Sequence, residues 1–133
     1  MAEHRALTLI VARPGPLREG IEALLASVPA IRVVDGVGRA STALSIAADQ
    51  PLDLLLLDVG LPGDEASRVL ASCRRQRPGL RCIALADNLA QEQAAKALGA
   101  EAVFLKGFPA DRFAETVEAL LREGKTKDGG NRI

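Results

Sequence analysis

Two charged residues stand where apolar runs end, and their types would let them act together. Asp58 closes the leucines of "LDLLLLDVGLPG", residues 52–63. Leu54 to Leu57 run into this lone carboxylate, after which Gly60, Pro62 and Gly63 break the chain. Lys106 closes a second apolar run, in "VFLKGFP". A lysine is a compact point charge suited to stabilising an anion. Brought to one edge, the two residues would form a small charged site. The plainer roles are a helix cap for Asp58, and a solvated strand end or a simple salt bridge to Asp58 for Lys106. The elements that carry them weigh between these readings.

Five short apolar runs punctuate the chain: Leu7–Ala12, Ile31–Val34, Leu52–Leu57, Arg81–Ala86 and Ala102–Leu105. Each is continuous rather than alternating, as in strands buried on both faces. Helical patterns lie between them. Leu17–Leu25 repeats Leu17, Ile21, Leu24 and Leu25 at helical spacing. Ala40–Ala48 has Ser41 or Thr42 as candidate caps. Asp64–Arg77 stops at Pro78-Gly79, and Leu89–Leu98 stops at Gly99, placed to be a C′ glycine. Pro109–Arg122 puts Phe113, Val117, Leu120 and Leu121 on one face, with Gly124 beyond. Five βα units predict an α/β fold, a single five-stranded parallel sheet doubly wound with helices on both faces. In such sheets ligands bind outside the carboxyl ends of the strands, at the topological switch point. Asp58 ends the third, central strand, which favours the site reading over the cap.

Composition narrows the function. The chain of 133 residues fits one domain. Lys+Arg and Asp+Glu both number 17, so no global field draws it to nucleic acid or a membrane. With no Trp or Tyr and only three Phe, stacking on bases is not its mode. No apolar stretch approaches the ~20 residues of a membrane span, and "MAEHRALTLIV" lacks the layout of a signal peptide. Cys73 and Cys82 fit no metal-ligand spacing and read as reduced structural thiols, which predicts a cytoplasmic protein. Residues 1–123 are expected to form the domain. The polar, Gly-rich residues 124–133 are expected to be a flexible tail or linker. His4 reads as a tail residue rather than a catalyst.

The chain resembles the receiver domain of two-component response regulators, over nearly everything from Leu7 to Leu121. "LLLLDVGLPG" with Asp58 and Pro62, and "GAEAVFLKGF" with Lys106 and Phe108, carry the resemblance, in order and spacing. "REGIEALLASVPAIRVV" looks most like receivers fused to helix-turn-helix output domains. The resemblance implies a flavodoxin-like (βα)5 fold. It implies a phosphoacceptor at Asp58, served by a sensor kinase's histidine, and a phosphoryl-stabilising lysine at Lys106. It further implies an acidic pair after the first strand to hold Mg²⁺, and a hydroxyl at the end of the fourth strand to bond the phosphoryl group.

At those last positions this sequence departs. Ala12 and Arg13, in "LIVARPGP", stand where the acidic pair is expected. Ala86, in "CIALADN", stands in the hydroxyl position, and Asp87 beside it adds negative charge. Val103 falls at the switching aromatic, next to Phe104, and Gly107 replaces the proline that commonly follows the lysine. Mg²⁺ needs oxygen ligands, usually with one or two carboxylates. Only Asp58 and a backbone carbonyl, that of Gly60, remain from the usual set. Phosphoryl transfer rests on positioning and charge neutralisation, so loss of the metal should slow it severely. Arg13 has two placements open to it. It could pair bidentately with Asp58 and fill the space of metal and phosphate, or it could point into solvent.

These departures favour an atypical receiver, or pseudo-receiver. Such a module would act without Mg²⁺ or phosphorylation, through a protein partner or a homodimer, in transcriptional control. The alternative is a conventional phosphoacceptor receiver served by a sensor histidine kinase. An aspartyl-nucleophile phosphatase ranks lower, because Gly60 stands where a second aspartate would act as general acid. Three features read as structural. "GVGRAS", Gly36–Ser41, half-resembles a dinucleotide fingerprint but follows the wrong strand. Arg74, Arg75, Arg77 and Arg81 read as a solvated basic patch. Ala90, Ala94, Ala95 and Ala97 make a good helix former whose small side chains would also let a second copy approach.

Overall fold

A computed structural model describes residues 5–130, with side chains described through Arg122. His4 and the last three residues, 131–133, lie outside them. Five parallel strands form one sheet in the order β2-β1-β3-β4-β5. The strands are β1 (Ala6–Val11), β2 (Ile31–Val37), β3 (Leu54–Asp58), β4 (Arg81–Ala86) and β5 (Ala102–Leu105). Helices α1 (Pro16–Ala26), α2 (Ala40–Asp49), α3 (Glu65–Gln76), α4 (Leu89–Leu98) and α5 (Ala110–Gly130) follow them in turn. The strand order reverses between β1 and β3, which places the switch point at the end of β3.

The leucine run of β3 is explained by two cores. Leu55 and Leu57 pack with α2 and α3 on one face, while Leu54 and Leu56 pack with α1 and α5 on the other. All five residues of β3 are buried, so every position must be apolar except the one that reaches the edge. β2 and β5 are edge strands and are only partly buried. The three phenylalanines form one cluster, with ring centroids 5.0–5.3 Å apart, that seats α5 on β5.

Several boundaries differ from the sequence pattern. β2 extends through Asp35-Gly36-Val37, because β1 continues to pair with it past a bulge at Val34. Gly36 is therefore a strand residue, and of "GVGRAS" only Gly38 and Arg39 lie between β2 and α2. Neither Ser41 nor Thr42 caps α2. Its N-cap is Arg39, and the Ala40 N–H donates instead to Glu65 of α3 at 3.2 Å. The helix expected to end at Arg122 continues to Gly130. No proline interrupts it there, and a glycine stops a helix only when the chain turns left-handed after it, as Gly99 does after α4 with φ 93°. The arginine cluster is not uniformly solvated: Arg74 pairs with Glu101 at 2.6 Å and Arg77 with Asp53 at 3.1 Å.

Candidate functional site

Three chain crossings meet at the carboxyl edge of the sheet: the loop after β1, the end of β3 and the loop after β4. The first brings Arg13, the second Asp58 and Gly60, the third Asp87. Asp58 is 2% exposed. A buried carboxylate demands donors, because an unpaired charge there would be costly. Arg13 Nε donates to Asp58 Oδ2 at 2.7 Å and Arg13 Nη2 to Oδ1 at 3.1 Å. The backbone N–H of Arg13 reaches Oδ2 at 3.2 Å, and that of Gly60 reaches Oδ1 at 2.8 Å. A carboxylate offers about four lone-pair positions, and these donors engage all of them.

Of the two placements open to Arg13, the structure adopts the bidentate pair. The side chain is still 46% exposed, so its outer face meets water. Its Nη2 also donates to Asp87 Oδ2 at 2.9 Å. Hydrogen bonds donated to Asp58 first and Asp87 second push the Arg13 pKa further above its ordinary value and fix its charge. Gly60 is the neighbour this packing requires. A Cβ there would come within 2.8 Å of the guanidinium carbon and 3.0 Å of Asp58 Oδ1.

The remaining site positions divide. Ala12 and Ala86 are buried at the ends of β1 and β4 and present no polar side-chain atom. Pro62 is exposed in the turn after β3. Lys106 directly follows β5, its N–H donating to the Ala86 carbonyl at 2.8 Å. Its side chain is exposed and, among the described residues, pairs with neither Asp58 nor any other carboxylate. Phe104 is held against Phe108 and Phe113, in the core between β5 and α5.

The set does not suit Mg²⁺. Asp58 and Asp87 are the carboxylates here, a guanidinium lies between them, and the oxygens of Asp58 already face N–H donors. No group of three or more His, Cys, Asp or Glu able to hold a metal occurs among the described residues. An octahedral all-oxygen shell has nowhere to form without displacing Arg13.

The sequence pattern did not single out Gln91. Its side chain accepts from the Asp87 N–H at 2.7 Å, while its own N–H donates to the Asn88 side chain at 2.9 Å. The signal was present as Asn88-x-x-Gln91, the spacing of a capping box. Here the glutamine reaches one residue further back than in the standard box.

Cys73 and Cys82 are buried and free of disulfides. Burial raises both thiols, Cys82 to about 12. No helix among the described residues is long and apolar enough to cross a membrane.

The sequence profile of the response regulator receiver domain matches residues 9–118. No curated protein matches the chain. Solved structures do. A CheY-like receiver domain protein from Methanospirillum hungatei JF-1 superposes with TM-score 0.79 at 21% identity, over 92% of this chain and 98% of that one. A LuxR-family two-component response regulator from Aurantimonas sp. SI85-9A1 gives 0.77 at 21%, over 90% and 86%. NtrX from Brucella abortus, in complex with ADP, gives 0.83 at 23%, over 96% of this chain but only 29% of its own length. The doubly wound sheet, the aspartate delivered to its switch point and the profile spanning both together assign the chain to the response regulator receiver domain family of two-component signalling.

Proposed function

We propose that this chain is a pseudo-receiver: an interaction module whose acceptor position is closed by its own arginine. The observation that carries the reading is the Arg13–Asp58 pair, which engages both oxygens of a carboxylate otherwise in place to accept a phosphoryl group. Mg²⁺ is excluded by the same guanidinium. Phosphoryl transfer without a metal, and without a hydroxyl at Ala86, lacks the charge neutralisation it depends on. The reading is of a non-catalytic module: among the described residues, Asp87, the other carboxylate of the site, is itself held by Arg13.

Its output is contact with a protein, in the cytoplasm. The partner is a sensor kinase, an output domain or a second copy, with residues 1–123 as the binding unit and 124–133 as its C-terminal extension. Neutral net charge and the lack of aromatic platforms argue against direct nucleic-acid binding by this domain. A role in transcriptional control is supported by the likeness to a LuxR-family regulator and to RcsB from Salmonella typhimurium, whose structure concerns DNA interaction.

The test is intact-mass spectrometry after incubation with a small phosphodonor and Mg²⁺, with Asp58→Ala as control. The pseudo-receiver keeps its mass. A gain of one phosphoryl group, ~80 Da, on the wild type alone would instead establish the conventional phosphoacceptor. The second reading has its own support: Asp58 retains the acceptor position and Lys106 the position just after β5.

A further inference from the structure

Arg13 does more than close the site, because its Nη2 is shared between two carboxylates, one ending β3 and one in the loop after β4. One bond goes to Asp58 at the end of β3, at 3.1 Å, and the other to Asp87 after β4, at 2.9 Å. Asp87 is in turn bound to the start of α4. Its N–H donates to the Gln91 side chain at 2.7 Å, and Gln91 N–H donates to the Asn88 side chain at 2.9 Å. A continuous chain of polar contacts thus runs from the buried Asp58 carboxylate, through Arg13 and Asp87, into the first turn of α4. Ala86, the last residue of β4, has no side-chain group with which to make that link. The same first turn carries Leu89, 67% exposed and the one large hydrophobic residue so exposed among those described.

We propose that Asp87 is a positioning residue: through Arg13 it fastens the first turn of α4 to Asp58, so that the arginine clamp sets where α4 and Leu89 stand. The inference rests on the reading of Arg13 as the permanent occupant of the site, and it deepens that reading by giving the clamp an output. Charge-assisted bonds are the stronger kind and hold a fixed geometry. The half-exposure of Arg13 weakens the Asp87 bond but not the directional constraint.

Amide hydrogen exchange tests this with no phosphodonor present, so its result is independent of whether Asp58 can be phosphorylated. Wild type, Arg13→Ala, Asp87→Ala and the double variant are compared. Each single change should speed exchange at Gln91 and Glu92, the hydrogen-bonded amides of that turn, by about threefold or more. The double variant should match the faster single, and in Asp87→Ala, which barely alters global stability, the amides of β3 should keep their wild-type rates. Wild-type rates at Gln91 and Glu92 in Asp87→Ala would overturn the proposal. So would effects that multiply in the double variant, or a rise in Asp87→Ala as large in β3 as in α4. If Arg13→Ala does not fold, Asp87→Ala decides alone, because it leaves the Arg13–Asp58 pair in place.

Discussion

Arg13 grips Asp58 by both oxygens, Nε to Oδ2 at 2.7 Å and Nη2 to Oδ1 at 3.1 Å, at a position where 2% of the aspartate is exposed. The pair joins the ends of two adjacent central strands. It holds a carboxylate at the switch-point edge of the sheet by donors to both of its oxygens. Removing either partner should therefore be felt in stability, unlike the loss of a surface ion pair.

Arg13→Ala leaves a buried carboxylate with two backbone donors only. The expected loss is about 1–3 kcal/mol, below the full cost for a wholly buried pair because Arg13 is half-exposed. Urea denaturation should show a lower midpoint with an unchanged slope. Asp87→Ala should cost well under 1 kcal/mol by the same measurement.

Gly60→Ala should be destabilising chiefly through the arginine. The added methyl group meets the guanidinium carbon at 2.8 Å. A cost of about 1–2 kcal/mol is expected in the wild type, and most of it should vanish in the Arg13→Ala background. A double-mutant cycle measures the difference, and an equal cost in both backgrounds would place the clash elsewhere.

Giving the site back its acidic and hydroxyl groups should open it. Arg13→Asp combined with Ala86→Thr removes the guanidinium and supplies an oxygen ligand and a hydrogen-bond donor. This variant should gain ~80 Da from a small phosphodonor in the presence of Mg²⁺, and none once Asp58→Ala is added. Intact mass reads the outcome directly.

The buried thiol of Cys82 makes stability fall at high pH. Its folded pKa is raised from 9.0 to about 12 by burial, so the native state holds this proton more tightly than the unfolded chain. Its contribution is complete below about pH 9 and is lost progressively as pH rises towards 12. Denaturation midpoints measured from pH 8 to 11 should decline, and Cys82→Ala should flatten the decline while lowering the plateau.

Much of this was legible in the sequence, for physical reasons that also mark where legibility ended. β4, α4 and β5 fall where the pattern puts them, because continuous apolar runs and Gly99 are local signals. Asp58 was legible as the edge residue of β3 because a strand buried on both faces admits a carboxylate only where it reaches the sheet edge. β2 was cut short because Asp35 and Gly36 are polar and small, and an edge strand tolerates both. The start of α2 at Ala40 was legible but its cap was not, because the acceptor, Glu65, comes from another helix. Arg13 could be narrowed to two placements, since a long side chain in a loop has no period to betray its direction. Its second bond, to Asp87, depends on how two loops approach, and no spacing in the chain encodes that.

The most direct test of a closed site is a Mg²⁺ titration followed by the backbone amide NMR signals of Asp58 and Gly60. Gly60 N–H is bound to Asp58 Oδ1 at 2.8 Å, so any ion reaching that carboxylate must perturb it. With Arg13 in place, neither signal should shift through millimolar Mg²⁺, while both should move saturably in Arg13→Asp. A saturable shift of the wild-type signals would contradict the account, because the metal would then be entering a site that the arginine is held to fill.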